Sequence, residues 1–285
     1  MIVALPTRGL QTSSCWTGGV SAVGGPASTS WMPMRRNVDL TRGLIFAYTP
    51  SIAQPFDRVG GNLGVITNVA RVNIRRTLGM RFAGGADLNS VINYGTQAST
   101  ENLANSPATW AFYCATTDLT RLDLACHEDN NVAGGWQIGP NQMGPIGLNI
   151  TRAVVNLKFG ATLAGFDTGG AFTVVVTHDG SLTQAGCRIY ANGVVQSPAA
   201  GADGSGASAS VPAESFFLGR GRLSANNNLD GDIYACAIAK RVWSAAEAAA
   251  YHADPYAIFG RPRWAATSGP PIVGNALFFG AGSIQ

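Results

Sequence analysis

The groups in this 285-residue chain that could carry acid–base chemistry are sixteen Asp and Glu and three His. Retaining glycoside hydrolysis needs two carboxyl groups about 5.5 Å apart. A strand meets that need with carboxylates at i and i+2, which share a face. The Glu-x-Asp-x-x-Glu arrangement is absent, because Glu101, Glu128, Glu214 and Glu247 all lack a carboxylate at i+2. The one Asp-x-Asp, Asp230-Gly231-Asp232, reads as a turn that Asp230 caps while Asp232 faces solvent. His127, His178 and His252 read as structural or solvated, since no Gly-x-Ser-x-Gly elbow presents a serine to any of them. No enzyme is expected.

Binding chemistry has more to work with. A calcium ion wants six to eight oxygens. Glu128-Asp129-Asn130-Asn131 and Asn226-Asn227-Asn228 with Asp230 could offer them. Both also read as ordinary turns, because Asn and Asp bond their own backbone. A sugar needs an aromatic platform beside planar polar groups. Trp136 beside Asp129, Asn130 and Asn131 is the candidate, with burial of Trp136 in a strand as the alternative. No cofactor is expected. The Gly-rich stretches GVSAVGG and GGAFTVVV do not stand between a strand and a helix. Nucleic acid is disfavoured, as Arg35-Arg36 and Arg75-Arg76 are the only basic pairs. The five cysteines are odd in number and form no Cys-x-x-Cys, so they read as small buried hydrophobes rather than zinc ligands or a disulfide framework.

These residues need a scaffold, and composition restricts it. Charged residues are 12% and hydrophobic residues 46% of the chain, against about 25% charged in an ordinary soluble domain. Disorder, coiled coil and collagen are excluded on composition and period. No run of 18 apolar residues occurs, so no membrane-spanning helix is expected. The first residues read as no signal peptide.

Short apolar runs bounded by turn residues recur: 43–51, two around a Gly-Gly turn in 78–95, and 108–117 with 122–128 as a pair. More follow at 134–139, 154–160, 172–180, 187–195, 214–220 and 232–242. That spacing predicts an all-β, antiparallel sandwich or jelly roll. Asn192-Gly193 and Asp179-Gly180 are tight-turn signals, and 201–210 reads as a low-complexity loop. One short helix is predicted near the C-terminus. Ser244 and Glu247 form a capping box, alanines carry the helix, and Pro255 stops it.

Residues 1–39 and 259–285 are rich in Gly, Pro and Ser and read as extended N- and C-terminal arms around a domain at 40–258. Their anchors are Trp16, Trp31, Met34, Arg35, Arg36, Trp264, Phe278 and Phe279. Residues 1–81 hold nine Arg against Asp39 and Asp57, a charge of +7, and the remainder carries ten basic and fourteen acidic groups, or −4. One end can thus attract the other end of a neighbouring copy, although scattered solvated arginines give the same count.

The order of motifs resembles the C-terminal half of a laminin-G-like, concanavalin-A-like jelly-roll domain. Its turns and strands match at Thr177, Asp179, Gly180; Ile189, Tyr190, Asn192, Gly193; Gly219, Arg220; Asp230, Gly231, Ile233; and Trp243, Ser244, Glu247. The ending ADPYAIFGRPRW resembles a subgroup of tailed-phage virion proteins. The resemblance implies a non-enzymatic virion component, a capsid decoration or cement protein or a tail-attached one. It would be made in the host cytoplasm and bind other virion proteins and copies of itself through its arms. The alternative is a carbohydrate-binding adhesin or receptor-binding module that meets a host surface glycan. A glycoside hydrolase is a distant third, and neither nucleic acid nor membrane is expected as a partner.

Overall fold

Alternation of large apolar residues with small or polar ones sets the architecture. In the computed structural model, Trp110, Phe112 and Cys114 point inward from one strand, with Thr109, Ala111, Tyr113 and Ala115 on its other face. The structure describes residues 39–50, 55–74, 77–84, 90–97, 100, 102–127, 135–141, 144–207, 214–221 and 228–259. Of the arms only Asp39 and Phe259 are therefore described, and Glu128, Asp129, Asn130 and Asn131 also lie outside the described residues.

Strands are numbered in chain order. A nine-stranded antiparallel sheet runs β14 (Val194–Val195), β13 (Cys187–Ala191), β12 (Ala171–His178), β7 (Ala108–Thr116), β17 (Asp230–Ala239), β1 (Leu44–Thr49), β2 (Phe56–Asp57). The hairpin β4 (Val69–Ile74) and β5 (Thr77–Ala83) joins it through pairing of β5 with β17. The eight-stranded sheet runs β15 (Pro198–Ala202), β11 (Leu157–Ala161), β10 (Gly144–Ile150), β9 (Trp136–Asn141), β8 (Ala125–His127), β16 (Ser215–Leu218), β6 (Val91–Thr96), β3 (Val65–Thr67). The described residues form an all-β antiparallel sandwich, with a short helix, α1 (Ala245–Ala253), near the C-terminus.

The inward faces meet in one apolar core. Trp110 of one sheet lies 5.2 Å from Trp136 of the other, and Phe46 sits 4.8 Å from Phe216 and 5.0 Å from Tyr94. Burying such rings contributes about 25 cal/mol per Å² of apolar surface. Cys114, Cys187 and Cys236 are small core residues, and Cys126 is buried with its Sγ donating to the Gly221 carbonyl. Burial pushes the Cys187 thiol up to about 12.

The local signals behave as their chemistry demands. Asn192 and Gly193 have φ of 48° and 75°, the pair of positive values that a two-residue type I′ turn requires. The Ser244 and Glu247 capping box is present, and α1 ends before Pro255.

Three expectations are corrected. The runs at 108–117 and 122–128 do not pair with each other: β7 and β8 lie in opposite sheets. A single turn at Leu119–Arg121, capped by Asp118 on the Thr120 amide, carries the chain across, so the two apolar faces meet through the core. The two runs in 78–95 likewise separate, β5 to one sheet and β6 to the other. Asp179-Gly180 opens a longer connection, since β12 and β13 pair only from His178 opposite Cys187.

Candidate functional site

The outward face of the nine-stranded sheet carries a cluster assembled from β4, β5, β7, β17 and the segment after α1. Ala171, Ala115, Asp232, Arg81 and Ala70 are cross-strand partners in one row. They face outward because Phe172, Cys114, Ile233, Met80 and Phe82 beside them take the core positions. Between Ile233 and Ala235 the register of β17 against β7 shifts, so Tyr234 is an extra residue opposite Tyr113. Such a bulge re-aims a side chain. The Tyr234 ring lies where a side chain at position 79 would stand: a Cβ on Gly79 would come 2.6 Å from two of its ring carbons.

Polar contacts fix the cluster. The Arg81 guanidinium grips Asp232 with two donors, Nε on one carboxylate oxygen and Nη2 on the other at 2.8 Å. The Tyr234 hydroxyl donates to the same carboxylate at 3.0 Å. Asp232 is 2% exposed and the Arg81 side chain 49%. Asp232 holds the Arg81 guanidinium above its ordinary range. Burial, with Asp232 beside it, raises the Tyr234 hydroxyl, which therefore stays a donor. Tyr113 stands 5.1 Å from Tyr234 and 6.0 Å from Tyr256, the latter edge-to-face at 86°. Tyr113 and Tyr256 are each half-buried, so the corner between them is open in part to solvent.

This arrangement suits a polar ligand with apolar faces. Two rings offer CH-stacking surfaces. A guanidinium has five N–H donors, and those of Arg81 beyond the two on Asp232 meet no described residue. The ion pair is neutral as a unit, so it supplies direction without net charge.

The eight-stranded sheet also carries polar side chains outward. Asn149, Gln137 and Cys126 are cross-strand partners. Gln137 Nε2 donates to Asp123 Oδ1 at 2.8 Å. Asp123 occupies space left by two glycines: a Cβ on Gly139 would come 2.6 Å from its Oδ1, and one on Gly221 would strike it too. Burial raises the Asp123 carboxyl to about 7. Asp123 is 2%, Gln137 5% and Asn149 6% exposed, so this group is enclosed while the tyrosine corner is reachable.

Of the site residues singled out from sequence, only Trp136 lies among the described residues. Trp136 is 0% exposed, wedged among Trp110, Phe216 and His127, with Nε1 donating to the Thr100 carbonyl at 2.8 Å. Its ring faces are used up by the core, so it is no sugar platform. Asp129, Asn130 and Asn131 lie outside the described residues, as do Trp16, Trp31, Met34, Arg35, Arg36, Trp264, Phe278 and Phe279. Of the second proposed calcium loop only Asn228 and Asp230 are described, and among the described residues no three His, Cys, Asp or Glu gather as metal ligands. Asp232 does not face solvent but is buried against Arg81 and Tyr234. His127 and His178 are buried and bonded to backbone carbonyls, of Glu214 and Ser181, while His252 is exposed and meets Thr173. No described helix is long and apolar enough to cross a membrane.

Sequence reasoning passed over Tyr113, Arg81, Tyr234 and Tyr256. A signal existed for two of them. Tyr113 is the aromatic at an outward position between Phe112 and Cys114, and Arg81 stands likewise between Met80 and Phe82. Pairing of Arg81 with Asp232 across 151 positions had no local signature.

Comparison with known proteins agrees with this architecture. No protein-family model and no curated protein matches the chain. Solved structures do match in fold. The binding domain of botulinum neurotoxin DC, solved in complex with rat synaptotagmin II, aligns with a TM-score of 0.54 at 11% identity, over 75% of this chain and 52% of that one. The botulinum neurotoxin serotype D/C VPI 5993 binding domain gives the same TM-score of 0.54 at 11% identity, over 75% and 52%. Domain 4 of AbnA, a GH43 extracellular arabinanase from Geobacillus stearothermophilus in complex with arabinotriose, aligns at 0.53 and 13% identity, over 73% of this chain and 97% of that one. The chain thus spans about half the length of the toxin binding domains. At these identities the likeness is one of fold: a jelly-roll-like antiparallel sandwich similar to binding modules of toxins and of carbohydrate-active enzymes.

Proposed function

We propose that this chain is a non-enzymatic binding module, an adhesin or receptor-binding domain, whose ligand is a neutral glycan held at Tyr113, Tyr256 and the Arg81–Asp232 pair. The observation that carries it is the half-open tyrosine corner beside a charge-neutral, doubly bonded guanidinium. Rings stack on the apolar faces of a sugar and the remaining guanidinium donors reach its hydroxyls. Among the solved structures of this fold, the arabinanase domain was solved with arabinotriose, and a neurotoxin binding domain with rat synaptotagmin II.

Catalysis is not part of the proposal. Asp230 and Asp232 stand at i and i+2, the spacing that hydrolysis needs. Asp232, however, is buried and its two oxygens already accept from Arg81 and Tyr234, which leaves it poorly placed to meet a substrate as nucleophile or proton donor.

A second reading concerns where the module works. The tailed-phage-like C-terminal segment, the apolar anchors in 1–39 and 259–285 and the sorted charge favour a virion component, on capsid or tail, bound to neighbours by those segments. That placement rests on sequence alone. Copurification with a phage particle supports it, and a stable monomer never recovered with particles refutes it.

The test of the glycan reading is an array of neutral and acidic glycans probed with the full chain. Binding to neutral glycans, lost in Tyr113→Ala and weakened in Arg81→Lys with folding intact, is the expected result. Arg81→Lys keeps the charge but loses the planar fork. Binding that both variants retain refutes the assignment.

A further inference from the structure

We infer that the tyrosine corner is also where the C-terminal segment of a second copy docks, with Arg261, Pro262, Arg263 and Trp264 as the residues that enter it. This goes beyond the glycan reading: the corner takes a protein occupant too, and the two compete.

Charge is the first observation. Arg81 balances Asp232, but Asp230 and Asp254 have no ion-pair partner among the described residues. Asp230 stands two residues from Asp232 along β17, half-buried and on the same face of the strand. Asp254 follows α1, is exposed, and accepts the Tyr256 amide at 3.0 Å. Two acids thus flank the tyrosines without a cation of their own. Residues 260–285 hold Arg261 and Arg263 and no Asp or Glu.

Ring chemistry is the second. Tyr113 and Tyr256 meet edge-to-face at 6.0 Å, both half-buried. Aromatic-lined corners of this kind dock extended proline-containing segments. Pro262 fixes its own φ and restricts Arg261 to extended backbone, so little freedom is lost on docking. At about 3.1 Å per residue, Arg261 and Trp264 fall on one side of such a segment about 9 Å apart. Tyr113 is opposite Ala235, five residues along β17 from Asp230, a distance of about 15 Å. With Trp264 in the corner, Arg263 comes beside Asp254 and the long Arg261 side chain extends towards Asp230.

The occupant is a second copy because Gly260 is the single residue between the buried Phe259 and Arg261, which leaves the same chain one residue in which to turn back onto Tyr256. Corner and segment are different surfaces, so the contact is heterologous and joins copies head to tail.

Sedimentation of the full chain over a range of concentrations is the test. Species larger than a dimer should grow with concentration and shrink as salt is raised. Tyr113→Ala and Trp264→Ala should each weaken association about tenfold or more. Mixed together, the two variants should pair, since one keeps an intact segment and the other an intact corner. A synthetic peptide of residues 260–268 should dissociate the wild-type assembly and shift the Tyr113 and Tyr256 resonances, a measurement that needs no variant. A wild type that stays monomeric, or an assembly that the peptide leaves intact, overturns the inference. A monomer that still binds neutral glycan overturns it and leaves the glycan reading standing; an assembly that behaves as expected but binds no glycan does the reverse.

Discussion

Replacing Asp123 by Asn should make the protein more stable at alkaline pH and leave it nearly unchanged in acid. Asp123 is enclosed between Gly139 and Gly221 and accepts one hydrogen bond, from Gln137. Burial raises its carboxyl to about 7, well above the ordinary carboxylate range, and no charged neighbour contributes among the described residues. The folded chain therefore holds a proton that the unfolded chain has released between about pH 4 and 7, and stability falls as pH rises through that window. A difference of about three units is worth about 4 kcal/mol above pH 7 as an upper bound. Asn has the same shape, keeps an oxygen for Gln137 Nε2 and never ionises. Urea unfolding of both proteins at pH 4, 5.5, 7 and 8.5 measures it. The advantage of Asp123→Asn should be near zero at pH 4 and grow to a few kcal/mol at pH 8.5. A constant advantage, or one that shrinks as pH rises, would refute the assignment of a protonated buried acid.

Other substitutions separate scaffold from site. Trp136→Ala should cost about 3–5 kcal/mol as a cavity in the aromatic core, read by thermal melting, with no selective loss of glycan affinity beyond that from unfolding. Ser244→Ala removes the cap of α1 and should cost about 1 kcal/mol, again by melting. Gly79→Ala places a methyl against the Tyr234 ring and should weaken glycan binding more than it lowers the melting temperature, as titration and melting together would show. Gly193→Ala forces a side chain to φ of 75° and to 2.9 Å from the Ala249 backbone, so it should destabilise the β13–β14 hairpin and its contact with α1.

Alternation and turn chemistry made most of the fold legible in the sequence. Trp110, Phe112 and Cys114 declared one inward face, Asn192-Gly193 the β13–β14 hairpin, and Ser244 with Glu247 the start of the helix. Sheet membership was not legible, because β7 and β8 present the same apolar period whether they pair or face each other across the core. Strands poor in large apolar residues also escaped notice. Residues 144–150 carry three core side chains but begin Gly-Pro, and the end of β15, Gly201 and Ala202, falls within the 201–210 stretch read as a loop. At the site, Trp136 drew attention as a lone tryptophan, yet its alternation with Ile138 already marked it as inward. The tyrosine corner depends on a bulge and on pairing between distant strands, which no short motif encodes.

The most direct test of the central claim maps a bound neutral oligosaccharide by amide and aromatic chemical-shift changes in the isotope-labelled full chain. The account predicts that the largest changes fall on Tyr113, Tyr256, Arg81 and their neighbours Ala115 and Ala70. Changes concentrated on the opposite sheet, at Asn93, Gln137 or Phe217, would contradict it.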